Sequence, residues 1–213
     1  MAELKSIVPE QFDSAEQQHE AAWLGLWSFL VTEILFFGGL FLGYIVYRHT
    51  YYHSFELASR TTNLFYGTLN TAVLLTSSLT MALAVHAAQL GRNKALVRYL
   101  VLTILLAVVF MGIKGAEYYE HFKNHQVPGP FFVLKGAREG ELFYYFYFAM
   151  TGLHALHVVI GIGLLSVMVL LAVRRRFNPE YHTPVELSGL YWHFVDIVWI
   201  FLYPLIYLIN RHS

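Results

Sequence analysis

The 213-residue sequence contains no cysteine and few charged residues. The lack of cysteine excludes a disulfide framework and thiolate metal sites. Lysine plus arginine and aspartate plus glutamate number 14 each, so there is no basic excess of the kind that favours binding to nucleic acid. Charged residues make up only 13% of the chain, whereas in soluble domains they make up about a quarter. These shortages point away from an ordinary soluble domain.

Hydrophobic residues make up 57% of the sequence and are concentrated in long runs between charged loops. A helix needs about 20 apolar residues to cross a bilayer. The pattern therefore predicts an all-α integral membrane bundle of five transmembrane helices, at residues 23–47, 64–90, 95–119, 142–173 and 187–209. A soluble all-α bundle is excluded because five such helices would have no polar face for water.

The loops between these spans predict the domain organisation and the orientation of the bundle. No repeat or linker divides the chain, so residues 22–210 are expected to form one domain after an acidic segment at residues 1–21. The loop after the second span contains Arg92 and Lys94, and the loop after the fourth contains three consecutive arginines at 174–176. Because basic loops favour the cytoplasmic side, we expect a cytoplasmic N-terminus and an outer C-terminus.

A carboxylic acid lies deep in the first span, within the sequence FLVTEILFFGG at residues 29–39. Glu33 lies roughly 16 Å from the inner end of this span, near the bilayer midplane. Its neighbours on the same helical face are large and apolar: Phe29, Leu30, Phe36 and Phe37. Because ionisable residues are costly at this depth, Glu33 is a candidate functional residue.

Other ionisable residues occur as pairs three positions apart, which places each pair on one helical face. His154 and His157 lie in the fourth span, and His193 and Asp196 lie at a similar depth in the fifth. We expect these four to form an intramembrane polar network, which either has a function or only fastens the two helices. A further pair, Lys114 and Glu117, is expected near the outer end of the third span.

Metal or haem binding is a weaker interpretation of the same histidines. Zinc and copper sites need three or four ligands around one point, and nothing in this spacing demands that arrangement. A haem held by His193 and one histidine of the fourth span is formally possible. Cytochromes of the four-helix type, however, would normally have two such histidine pairs.

Five segments resemble one known family. TGLHALHVVIG (151–161) and YWHFVDIVWIFLYPLIY (191–207) resemble the last two helices of subunit III of haem–copper terminal oxidases. Three further segments resemble the family's other three helices in the same order: TEILFFGGLF (32–41), LNTAVLLTSS (69–78) and GAEYYE (115–120). The similarity extends over residues 22–210. The chain resembles the short bacterial form of the family, which has five helices where longer members have seven.

This resemblance implies a non-catalytic membrane subunit of a proton-pumping oxidase that acts in aerobic respiration. In such an oxidase, haem and copper belong to partner subunits. Subunit III packs on subunit I, binds phospholipid and supports proton uptake, with subunit II and a small subunit IV as further candidate partners. The implied location is the plasma membrane of a bacterium. Two alternatives remain open: a similar component of a quinol oxidase or nitric oxide reductase, and, with less support, a small transporter.

The resemblance also implies roles for particular residues. Glu33 stands where the family has a carboxyl group that reacts with hydrophobic carbodiimides. The polar positions of the family are matched by His154, His157, Glu186, His193 and Asp196, which adds Glu186 to the expected intramembrane polar network. Lys114 departs from the family, in which an uncharged residue is usual. Because desolvation disfavours a charged carboxylate, we expect Glu33 to be neutral and hydrogen-bonded to a neighbouring helix or to a lipid headgroup.

Overall fold

The structure is a computed structural model that describes residues 14–130, 132, 140–179 and 181–208. Within these residues the regular secondary structure is helical, apart from an isolated bridge between Asn178 and Tyr181. Five of the helices are long and apolar enough to cross a membrane. The prediction of an all-α bundle with five membrane spans is therefore confirmed.

Six helices follow one another along the described chain. They are α1 (Ala15–Thr50), α2 (Tyr52–Arg60), α3 (Leu64–Gln89), α4 (Asn93–Lys123), α5 (Gly140–Val173) and α6 (Thr183–Tyr207). The short helix α2 was not predicted because its sequence is polar and has only 9 residues. Residues 15–21 of the predicted N-terminal segment belong to α1, and residues 1–13 lie outside the described residues.

Four of the long helices form the core of the bundle, and α1 lies at its edge. Helix α3 packs against α4 and α6, and α5 packs against the same two helices. Helix α1 contacts α2, α5 and α6. Its fully buried side chains, Leu30, Phe37 and Tyr44, recur every seven residues and so form one narrow stripe. Most of the remaining surface of α1 is apolar and exposed, as is expected of a helix that faces lipid.

Two tryptophans fasten α6 to α3. The indole Nε1–H of Trp192 donates to Ser77 Oγ at 3.1 Å, and that of Trp199 donates to Thr71 Oγ1 at the same distance. The two indoles lie on one face of α6 because they are seven residues apart. Hydrogen bonds of this kind hold helices together where lipid offers no partner for a buried N–H group.

Gly161 allows α5 to approach α6 closely. A Cβ atom placed on Gly161 would lie 2.7 Å from Cζ3 of Trp192, a distance shorter than real Cβ atoms tolerate. Two residues further along α5, a Cβ atom on Gly163 would have no neighbour within 4 Å. The glycine at 161 is therefore required by packing, while the one at 163 is not.

We predict that Gly161→Leu destabilises the bundle and that Gly163→Leu does not. Overpacking of a buried site typically costs about 1–3 kcal/mol, and here it would also displace the indole that bonds to Ser77. The measurement is the thermal unfolding midpoint of each purified variant in the same detergent. Equal midpoints for the two variants would contradict the packing shown by Trp192.

Candidate functional site

The buried stripe of α1 turns Glu33 towards α5. Glu33 lies three residues after Leu30 and four before Phe37, so it shares their helical face. Its Oε2 atom lies 3.2 Å from Nε2 of His157. The two side chains are only 20% and 9% exposed, respectively. The rings of Phe37 and Phe194 pack against the imidazole, with centroid distances of 5.5 and 6.4 Å.

The imidazole of His157 is oriented by a contact within its own helix. His157 Nδ1 lies 2.9 Å from the carbonyl oxygen of Leu153, which can only accept, so Nδ1 carries a hydrogen. The other ring nitrogen, Nε2, faces Glu33 Oε2, but the two atoms are not aligned as a hydrogen bond, because Oε2 has no hydrogen-bond partner among the described residues. The contact is therefore a close approach of two mostly buried polar groups. The sequence predicted that Glu33 would lie beside either a neighbouring helix or a lipid headgroup. In the structure its neighbour is His157 of α5.

The other histidine of α5 lies in an aromatic setting. Both ring nitrogens of His154 are buried and make no hydrogen bond within the described part of the chain. The imidazole packs instead against the rings of Phe110 and Trp199, with centroids 5.6 and 5.2 Å away. Residues three apart on a helix differ in direction by about 60°. His154 can therefore face the core while His157 faces α1.

His193 and Asp196 turn towards α3 rather than towards the histidines of α5. His193 Nδ1 lies 2.9 Å from Ser78 Oγ and 3.9 Å from Asp196 Oδ2. Glu186, at the start of α6, accepts from Gln89 Nε2 at 2.8 Å and lies 3.1 Å from His182 Nε2. The five residues expected to form one network are thus distributed over separate contacts with α1, α3 and the aromatic core.

Lys114 and Glu117 form the ion pair that was expected, and it is fully buried. Lys114 Nζ lies 2.8 Å from Glu117 Oε2, 2.6 Å from the Tyr207 hydroxyl and 3.1 Å from the Tyr147 hydroxyl. These three contacts use all three N–H groups of the ammonium. Tyr207 in turn donates to Glu117 Oε1 at 2.7 Å. The cluster joins α4, α5 and α6 through charge-assisted hydrogen bonds.

The sequence analysis missed the two tyrosines of this cluster. The spacing of Lys114 and Glu117 reveals a contact within one helix, but Tyr147 and Tyr207 come from other helices. Four aromatic rings also surround the ammonium at 4.7 to 5.5 Å, among them that of Trp199. Cation–π attraction adds to the hydrogen bonds at such distances. The one feature of the sequence that could have indicated a tyrosine contact is the high tyrosine content of FYYFYF (143–148), which includes Tyr147.

An apolar groove lies between α1 and α6, with a cavity volume of about 340 Å³. Leu30, Phe37 and Ile34 line it on α1, and Phe194 and Ile197 line it on α6. Because Phe37 and Phe194 also contact the His157 ring, they separate the groove from the pair of Glu33 and His157. The shape and lining of the groove suit an acyl chain.

The helices define the class of this protein as a multi-pass integral membrane bundle. Within residues 14–130, 132, 140–179 and 181–208, no three His, Asp or Glu side chains converge as a metal site would require. The model of the family described as "Cytochrome c oxidase subunit III" matches residues 13–211. The chain belongs to this family, as the resemblance implied.

Individual relatives agree with this assignment. The cytochrome c oxidase subunit 3 of Oncorhynchus clarkii is 43% identical over 139 residues, which cover 65% of this chain and 48% of the relative. The proteins of the same name from Formosania lacustris and Gadus morhua are 42% identical over the same length, with the same coverage. The chain thus spans about half the length of the curated relatives that it matches.

We predict that Lys114→Met strongly destabilises the chain because it leaves Glu117 buried without its cation. Breaking a buried ion pair typically costs about 3–5 kcal/mol. The double variant Lys114→Met/Glu117→Gln should recover part of this loss. The matched control is Lys123→Met, which removes an exposed lysine from the same helix. The measurement is the thermal unfolding midpoint of each variant in detergent. Equal decreases of the midpoint in the single and double variants would contradict the pairing.

Proposed function

We propose that this chain is the non-catalytic subunit III of a proton-pumping haem–copper terminal oxidase in the plasma membrane of a bacterium. In this proposal it packs on subunit I, near subunit II and a small subunit IV, and those partners carry the haem and copper. Both basic loops and the N-terminus then face the cytoplasm. The observation that carries the proposal is the family match over residues 13–211, which includes every described helix.

Cytochrome c is the electron donor that we favour over quinol. The support is the identity of the relatives, which are cytochrome c oxidase subunit 3 proteins. The donor itself would bind another subunit, so no residue of this chain is assigned to it. The chain's own part is structural: to stabilise subunit I, to bind lipid and thereby to support proton uptake.

In this role the Glu33–His157 pair ties α1 to the bundle. Helix α1 has a single narrow buried stripe, so a polar contact in the middle of that stripe matters more than it would in the core. Both side chains are mostly buried and face each other across the contact between the two helices. We infer that the Glu33–His157 pair is a fixed contact between two helices rather than a proton carrier. A phospholipid acyl chain in the groove between α1 and α6 would cover the other side of the stripe.

Purification through a tag on this chain tests the proposed function. We expect haem-bearing partner subunits in the eluate, seen in reduced-minus-oxidised spectra, and oxygen consumption with reduced cytochrome c. Oxygen consumption with quinol but not with cytochrome c would instead favour a quinol oxidase. An eluate that contains the chain without haem-bearing partners would overturn the proposal.

We predict that Glu33→Gln preserves assembly and most oxidase turnover. The amide of Gln can donate to Nε2 of His157, so the link between α1 and α5 survives without a titratable proton. Glu33→Leu leaves His157 Nε2 without a partner. We expect this variant to lose bound lipid and to be inactivated faster over many turnovers.

The readout is proton pumping by the reconstituted oxidase, followed from the first turnovers until inactivation, with lipid content measured in parallel. Thr32→Val is the matched control, since among the described residues the hydroxyl of Thr32 bonds only to the carbonyl of Phe29 in its own helix. A lower proton-to-electron ratio of Glu33→Gln in the first turnovers, at normal lipid content, would show a proton carrier and reject the structural role.

A further inference from the structure

Two helix connections meet at one end of the bundle, which we call the basic end. It consists of the α3–α4 connection with the first turns of α4, and of the α5–α6 connection that follows Val173. The connections are in contact, since a Cβ atom placed on Gly91 would lie 3.1 Å from Cγ of Pro179. Next to this contact is an open cavity of about 840 Å³ that is lined by residues of both connections.

Four cations line this cavity: Arg92, Lys94, Arg98 and Arg175. All four are exposed. The lining includes no carboxylate, and no ion pair between described residues involves any of the four. Glu186, at the same end of the bundle, is already in contact with Gln89 and His182. The cavity therefore has a strong positive potential that the described chain leaves uncompensated.

The start of α4 adds to this potential. Arg92 is the N-cap residue of this 31-residue helix and gives it no side-chain cap. The unpaired N–H groups of a helix N-terminus carry a partial positive charge and suit a bound anion. The helix end and the four cations thus favour the same kind of ligand.

Arg175 has a backbone conformation that usually belongs to glycine. Helices α3 and α5 end in the same way: Arg92 N bonds to Ala87 O, and Arg176 N bonds to Leu171 O. This turn requires a left-handed residue just before the donor. At the end of α3 it is Gly91, with φ 67°, whereas at the end of α5 it is Arg175, with φ 54°. Helix α4 ends in the same turn with His125, φ 54°, so this conformation alone assigns no use to Arg175. It does mean that glycine can replace Arg175 without backbone strain.

We propose that the basic end binds the phosphate headgroup of an anionic phospholipid. The cavity lies where membrane spans begin and end, at the depth of lipid headgroups. Its lining also includes Val97 and Val173, and Val173 is 64% exposed. These apolar side chains lie beside the cations, so an acyl chain can continue from the bound phosphate along α4 and α5. Basic pockets between membrane helices recognise anionic headgroups in this way. The site is distinct from the groove between α1 and α6.

The test measures lipid retention by the purified full chain in native mass spectrometry, with phosphatidylglycerol compared with phosphatidylcholine. The double variant Arg98→Gln/Arg175→Gly removes two cations of the cavity and relieves the strained backbone at 175. The matched control Arg174→Gln/Arg176→Gln removes two exposed arginines of the same connection that do not line the cavity. Each cation near a lipid surface is worth about fivefold in affinity, so we expect a loss of roughly 25-fold for the double variant.

The expected result is preference of the wild type for phosphatidylglycerol, a large loss in Arg98→Gln/Arg175→Gly and a loss at least about fivefold smaller in the control. The unfolding midpoint of Arg175→Gly should not fall, which separates lost binding from lost folding.

Equal losses of lipid affinity in the double variant and in the control would overturn the proposal and indicate a diffuse effect of surface charge. Displacement of the lipid by millimolar inorganic phosphate would also overturn the proposal, because it would show a site for free phosphate rather than for a lipid headgroup. Absence of the lipid from the purified oxidase, although the single chain binds it, would indicate that an acidic partner segment covers this face.

Discussion

Burying an ionisable group in an apolar bundle is costly unless a compensating partner lies beside it. Lys114 and Glu33 each face such a partner, whereas His154 and Asp196 have no side-chain hydrogen bond among the described residues. Lys114 is saturated by Glu117, Tyr147 and Tyr207, which come from three helices. Glu33 faces His157 across the α1–α5 contact. Because Tyr147, Tyr207 and His157 lie on other helices than the groups they contact, the cost of burying these groups fixes how the helices are rotated about their axes. Apolar contacts alone would specify these rotations weakly, since the helices are apolar on all sides.

The two clusters serve different parts of the bundle. The cluster of Lys114 and Glu117 joins α4 and α6 to α5, which packs against both of them. The Glu33–His157 pair holds α1, which contacts the bundle through the stripe of Leu30, Phe37 and Tyr44. Loss of the first should loosen the core. Loss of the second should free a peripheral helix and the apolar groove beside it, which is why we propose a functional role for this pair.

The sequence predicted the spans well and the contacts between them poorly. Hydropathy located all five long helices because membrane length is a property of one segment at a time. It also predicted the pairing of Lys114 with Glu117, since both lie on one helical turn. The partners Tyr207 and Ser78 could not be predicted, because a contact between helices depends on their relative rotation. For the same reason the four residues expected to share one layer, His154, His157, His193 and Asp196, face different neighbours.

The central claim is that Glu33 and His157 act as one unit that ties α1 to the bundle. The most direct measurement is a double-mutant cycle with Glu33→Leu, His157→Leu and the double variant, read as free energies of unfolding in a lipid bilayer. The account predicts a coupling energy of about 0.5–1.5 kcal/mol, so that the double variant is more stable than the sum of the single losses implies. Additive losses, with no coupling energy, would contradict the account.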